Sequence, residues 1–352
     1  MLIIGEISHL GACLVSELEL SLVMMNNSVA WLMFFGKLLD FWEIIMGCRF
    51  LTVDVFTGST FEGAQIAVVP RAQNLTTELM QNIAAELNLW RTVFVVGGDK
   101  TNANFSIRIF NQKKEFEFGG HATIGAIHAL AQEQALNLVE GENNFTLNEA
   151  YGNVACTVEI SGGKPIFQQF TSQAKIEIDR FTPTIEELSE FLTIKPYHLN
   201  VSGFNPLLVA SHVPYLFVPV DNYASLSHID FDYKAWAASS APATFASSIF
   251  LFTMSENIVN GESQPHFHCR MVGPHFSHHE DPPIGAAMPA FSAYLHQFSV
   301  GKNLPLNFIA ERGAFAGRKS EIHVEVLNAS DNTVEVKIGG KAILASQGEL
   351  YL

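Results

Sequence analysis

The heptapeptide HATIGAI at residues 121–127 has an echo in DPPIGAA at 281–287, 160 positions further along the chain. Few features constrain a fold as strongly as an internal repeat. Each copy follows a strand-like run, bends, and opens into a segment whose small residues recur with helical spacing. A helix that begins with Gly and Ala lets other groups approach its first turn, where unbonded backbone N–H groups and the helix dipole favour an anion. Two such helix starts facing each other would cradle a carboxylate. The chain therefore reads as two halves of similar length around one site, with His121 and Asp281 as the polar residues of the matched segments.

Charge removes one class of partner. Asp and Glu number 35 against 20 Lys and Arg, a formal charge of −15, and no basic run is interleaved with aromatics. A chain this acidic repels a phosphate backbone, so nucleic acid is not expected as a partner. Hydrophobic residues make up 48% and charged residues 16%, the balance of a well-buried globular protein. Cys13, Cys48, Cys156 and Cys269 are scattered without CxxC spacing, which fits reduced thiols and a cytoplasmic location. No GxxxxGK[ST], no GxGxxG after a strand and no GxSxG is present, so nucleotide-dependent and serine-hydrolase chemistry lack a motif.

Residues 1–45 stand apart. LSLVMMNNSVAWLMFFGKLLDFWEIIM is apolar, but Asn26, Asn27 and Ser28 interrupt it and Lys37, Asp40 and Glu43 follow, so it makes a poor membrane span. A signal peptide needs a basic start, whereas the first ionisable residue here is Glu6. The fold is expected to begin near Met46, with residues 1–45 an extension outside it; a peripheral amphipathic helix is the alternative.

From Met46 the pattern alternates. RFLTVDVF and AQIAVVP read as a strand pair, TTELMQNIAAELN as an amphipathic helix, and TVFVV and NFSIRIF as strands leading to the glycine-histidine segment and a helix over 122–136. Strands follow at 144–149, 153–160 and 166–170. The second half gives helices near 184–193 and 230–239, strands at 207–210, 215–219, SSIFLFTM and FHCRMV, and a helix from about Ile284. The remainder, EIHVEVLN, TVEVKIGG and KAILASQGEL, is strand.

VDVFTGSTFEGAQIAVVP, NLWRTVFV, EFEFGGHATIGAIHAL, EDPPIGAAMPAFSAYL, ERGAFAGRKSEIHVEV and VKIGGKAILASQGEL, in this order and spacing, resemble the PhzF-like phenazine-biosynthesis family of the diaminopimelate-epimerase fold, from about residue 49 to the end. The resemblance implies an α/β (α+β) protein of two pseudo-symmetric domains, each a curved, mostly antiparallel sheet around a central helix. The first would span 46–165, completed by 340–352, and the second 166–339. It further implies a homodimer and an active site in the cleft between the domains. The implied chemistry is cofactor-free isomerisation of a small carboxylated metabolite, in which a proton leaves a carbon beside an activating group and returns elsewhere.

Several of the family's slots are altered. A glutamate that resembles the proton shuttle, after Asn-Leu-Ser, is Arg91 here, and a guanidinium stays protonated and cannot act as a base. The serine of a Thr-Gly-Ser-Ala segment is Ala286, with Ile284 for the threonine, and the cysteine slots of related epimerases and racemases hold Gly119 and Ile284. What remains ionisable is His121 and Asp281, the expected catalytic pair, since a carboxylate beside an imidazole can hold its tautomer and raise its basicity. The plain alternative is that both cap helices, Asp281 through the Pro282 that follows it. Arg91, Gly120, Ala122, Gly285 and Ala286 are expected to bind the substrate carboxylate, Arg91 through its planar fork. Glu115 matches a family glutamate but also fits a solvated strand position.

HFHCRMVGPHFSHHEDPP gathers His266, His268, Cys269, His275, His278 and His279, and His266 with His268 would share one strand face. Without HExxH or paired CxxC spacing, neither a metal nor another cofactor is expected. Two functions stay open: an isomerase, or a member that has lost the chemistry and binds a small acid, because the expected base is Arg91.

Overall fold

The computed structural model describes residues 47–211, 213–246, 248–259, 262–276, 282–298, 304–330 and 332–352. Residues 1–45 and Asp281 lie outside them. Among the described residues no helix is long and apolar enough to cross a membrane. Residues 49–348 form one compact unit.

The first half holds β1 (Cys48–Val55), β2 (Ala64–Val69), β3 (Thr92–Asp99), β4 (Asn104–Phe110), β5 (Glu115–Phe116), β6 (Gly141–Glu149), β7 (Gly152–Ser161) and β8 (Lys164–Lys175). Helix α1 (Thr77–Leu87) connects β2 to β3, and α2 (His121–Gln132) connects β5 to β6. The second half holds β9 (Glu177–Asp179), β10 (Leu207–Ala210), β11 (Pro214–Pro219), β12 (Ser248–Val259), β13 (Glu262–Val272), β14 (Leu306–Arg312), β15 (Ser320–Ala329), β16 (Thr333–Gly340) and β17 (Ala342–Leu350). Its helices are α3 (Ile185–Phe191), α4 (Tyr223–His228), α5 (Tyr233–Ala238) and α6 (Met288–Gln297).

Strand pairing repeats step for step. β1 pairs antiparallel with β2, β2 parallel with β3, β3 antiparallel with β4, β4 parallel with β6, β6 antiparallel with β7 and β7 antiparallel with β8. β10 through β16 run through the same series: antiparallel, parallel, antiparallel, parallel, antiparallel, antiparallel. Parallel neighbours need a crossover, which α1 and α2 supply in one half and α4, α5 and α6 in the other. β8 and β16 pair antiparallel at the seam, with Phe170 opposite Ile338. The closing strands are exchanged: β17, which follows β16, pairs with β1, and β9, which follows β8, pairs with β10. The expected boundary at residue 165 falls at the start of β8.

The core explains the small residues. α2 is buried from His121 to Ala131 and packs on β2, β3, β7 and β8. A helix enclosed on every side has room for little more than Ala and Gly. A methyl group on Gly125 would meet Ile66 at 3.3 Å. α6, buried from Met288 to Leu295, is instead wrapped in aromatics: Phe250 and Phe252 lie 4.9 and 5.1 Å from the Phe291 ring, with Phe267 and Phe308 on other sides.

The helix expected near 230–239 is α5, capped by Asp232, while α4, capped by Asn222, was not anticipated. The helix expected from Ile284 begins as a single 3-10 turn at Gly285–Ala287 and becomes α-helical at Met288, with Pro289 in its first turn. Pro282 and Pro283 are outside it, so a capping role for Asp281 through Pro282 has no helix to cap. Finally, β14 was not anticipated from LNFIAER.

Candidate active site

The two central helices start nose to nose. Gly120, the N-cap of α2, has φ +32°. A Cβ built there would lie 2.9 Å from the Ala286 nitrogen, and one on Gly285 would lie 3.4 Å from the His121 nitrogen. Contacts across a twofold are reciprocal: Gly120 touches Ala286 as His121 touches Gly285, so Gly120 corresponds to Gly285 and His121 to Ala286. Both helices end accordingly, at Gln132 and Gln297. The structural repeat is thus 165 residues, not the 160 of the Ile-Gly-Ala match. His121 has Ala286 as its counterpart rather than Asp281, which lies outside the described residues.

Beside this junction opens a cleft of about 1350 Å³ whose wall includes Arg91, Phe116, His121, Tyr151, Tyr215 and Ala286. Gly120, Ala122 and Gly285 lie buried behind the wall, so their contribution is confined to backbone placement. His121 is the first residue of α2 and is 5% exposed. Neither ring nitrogen has a hydrogen-bond partner among the described residues. Burial, then the charges of Arg91 and Arg312, push the imidazole well below its ordinary pKa. It is therefore neutral at physiological pH, with a lone pair and one N–H available.

Arg91 sits in the turn between α1 and β3. Its Nη1 donates to the Trp90 carbonyl at 2.6 Å, and its guanidinium covers the Phe116 ring at 3.9 Å from the centroid. No carboxylate pairs with it among the described residues. Burial lowers its pKa to about 10, against an upward pull from Tyr215. It remains a cation at neutral pH, partly stripped of water and facing a cleft. The Tyr215 phenol, 6% exposed, is pushed above its ordinary range by burial.

Glu115 is committed elsewhere: both its oxygens accept from Arg108 at 2.7 Å. Glu149 is buried behind α2 and accepts from the Thr123 hydroxyl at 2.7 Å. Burial raises its carboxyl to about 7, the Thr123 bond opposing. His266 and His268 do share a strand face, but neither lines the cleft; His275 is exposed and His278 and His279 lie outside the described residues. Tyr215 and Arg312 were not anticipated. Arg312 had a signal, since it opens the RGAFAGR run that carries part of the family resemblance.

The PhzC-PhzF family model, described as phenazine biosynthesis-like protein, matches residues 53–348. The chain belongs to that family. Among relatives of this phenazine biosynthesis-like protein, an uncharacterised isomerase of Mesorhizobium japonicum is 31% identical over 307 residues, covering 86% of this chain and 99% of its own. The trans-2,3-dihydro-3-hydroxyanthranilate isomerase of Pseudomonas aeruginosa is 24% identical over 309 residues, again covering 86% and 99%. A solved PhzF-family phenazine biosynthesis protein of Bacillus anthracis superposes with a TM-score of 0.71 at 20% identity, covering 87% of this chain and 99% of its own. The fold is the diaminopimelate-epimerase-like one, and the chain is an isomerase of the PhzF family.

Proposed function

We propose that this phenazine biosynthesis-like isomerase moves a proton on a small carboxylated metabolite without a cofactor, in the cleft beside the two helix starts. The observation that carries this reading is a buried neutral imidazole at His121 without a hydrogen-bond partner among the described residues, beside an Arg91 guanidinium with no carboxylate among them. A substrate carboxylate docks on Arg91 and on the N–H groups of the facing helix starts. Its charge offsets that of Arg91, so the proton affinity of His121 rises once substrate is bound. His121 then takes the proton from the carbon beside the activating group, and Arg91 stabilises the negative charge that develops. The relative named as an isomerase of a dihydro-hydroxyanthranilate, itself a carboxylate, supports the substrate class. Asp281 is assigned the second proton-carrying role on the family resemblance.

Solvent deuterium incorporation tests it. In D2O, the wild type is expected to label one of a panel of hydroxy and amino acids. His121→Ala should lower the rate by about 10²–10⁴-fold, the usual worth of a general acid-base group. Label that enters equally with His121→Ala would overturn the assignment. A wild type that binds acids yet labels none would support the reading in which Arg91 marks a binding protein.

A further inference from the structure

We propose that His266, His268 and Glu311 form a metal site that takes Zn²⁺ through two imidazole nitrogens and one carboxylate oxygen. The site stands on the sheet, away from the cleft. His266 and His268 are two apart on β13 and so share a face, while Phe267 between them points into the core with no exposure. β13 and β14 run parallel in a register that places Glu311 directly beside His268 and Ile309 beside His266. Three ligand-bearing side chains are thus fixed by two rigid neighbouring strands, which is how a site is held to tight geometry.

The distances fit a shared ion better than hydrogen bonds. His266 Nε2 lies 3.3 Å from Glu311 Oε2, and His268 Nδ1 lies 3.5 Å from Glu311 Oε1. A charge-assisted N–H···O bond is usually about 2.7–2.9 Å. Ligands about 2.0–2.1 Å from a tetrahedral zinc stand about 3.3–3.4 Å apart, close to the 3.5 Å between His268 Nδ1 and Glu311 Oε1. One ligand atom from each of the three residues can be chosen so that all lie within 4.8 Å of one another. Two imidazoles and a carboxylate leave a fourth position for water.

The surroundings match what such ligands need. Lys319 Nζ donates to Glu311 Oε2 at 2.8 Å, which orients the carboxylate and leaves Oε1 to the ion. Ser255 Oγ lies 3.5 Å from His268 Nε2, so an Nε2–H directed at it leaves the Nδ1 lone pair for the ion. The ring of Tyr223, 4.9 Å from that of His268, shields one side, and Phe315 backs Tyr223 at 4.9 Å. Glu62 and Glu321 act on Lys319 and offset its charge. Since none of the ligands lines the cleft, the ion would tie β13 to β14 rather than take part in proton transfer.

The test uses the full chain, stripped with a strong chelator and dialysed against Zn²⁺ alone, with bound metal read by mass spectrometry. One Zn²⁺ per chain is expected. The affinity should fall at least about 10-fold in Glu311→Gln and stoichiometric uptake should vanish in His266→Ala/His268→Ala. Co²⁺ should give the visible absorption of a four-coordinate ion in the wild type, a readout that does not depend on any variant folding. A His275→Ala/His278→Ala/His279→Ala variant should retain the metal. Uptake well below one equivalent, no such Co²⁺ spectrum, or unchanged uptake in the His266→Ala/His268→Ala variant would overturn the site. All of these readouts are independent of isomerase activity.

Discussion

Gly120 and Ala286 come from opposite halves of the chain and meet so closely that a single methyl group on the first would reach within 2.9 Å of the backbone nitrogen of the second. Gly120→Ala is therefore expected to cost at least about 2 kcal/mol, since a side chain is strained at its positive φ and the obstacle is backbone. Gly125→Ala on the same helix faces only the Ile66 side chain, at 3.3 Å, and should cost under about 1.5 kcal/mol. Urea unfolding of the two variants checks the order, and equal midpoints would contradict it.

Arg91 is expected to control both ligand binding and the histidine. In Arg91→Met the His121 pKa should rise, as one of the two neighbouring charges that disfavour its protonation is gone, yet stay below the ordinary value, because burial is the larger cause. Imidazole NMR titration reads this directly. Affinity for small carboxylates should drop about 10- to 100-fold, in line with about 1.5–3 kcal/mol for a hydrogen bond to a charged group. A variant that binds them as well as the wild type would remove Arg91 from the site.

Two buried groups oppose each other in pH dependence. His128, 4% exposed, has its pKa lowered by burial to about 4 from 6.5. The unfolded chain then binds the extra proton, and stability falls as pH drops from about 6.5 to about 4. Glu149 is raised by burial from 4.5 to about 7. Here the folded state binds the extra proton, and stability falls as pH rises from about 4.5 to about 7. Glu149→Gln removes the second slope only. Its stability relative to wild type should increase between pH 5 and pH 7.5, on the order of 3 kcal/mol for a shift of this size. Denaturant midpoints across that range test the sign; a parallel pair of curves would show that Glu149 does not titrate there.

A second link between the halves is ionic. Arg318 Nη2 donates to Asp54 at 2.7 Å, and Asp54, fully buried, also accepts from the Phe61 nitrogen at 2.7 Å. Arg318→Met leaves that carboxylate with one donor fewer. Loss of a buried partner costs about 3–5 kcal/mol, and the partial exposure of Arg318 puts the expected cost nearer about 2–3 kcal/mol. Adding Asp54→Asn should recover part of it, as a double-mutant cycle would register.

Much of this was legible in the sequence, and the failures share a cause. The spacing of small residues announced α2, the family resemblance implied that it is central, and the run AQIAVV announced β2. The repeat was visible but misregistered, because Ile-Gly-Ala lies inside α2 at 124–126, whereas at 284–286 the same triplet begins in the chain before the helix and enters a 3-10 turn. Identity of letters pointed to one offset and close packing enforces another. Glu311 could not be joined to His266 and His268 from the sequence, since only the parallel register of β13 and β14 brings them together. The neutrality of His121 was likewise invisible, because it depends on burial and on Arg312, 191 positions away along the chain.

The exchange of β9 and β17 has a consequence for synthesis. In the first half β1 has β2 beside it early, but its second neighbour is supplied only when Ala342–Leu350, beyond the whole second half, has been made. The outer edge of β1 stays open while β2 through β16 are made, the condition under which nascent chains pair wrongly with one another. A stop codon that removed only the final strand would leave the cleft residues on the chain yet unseal the half that holds His121.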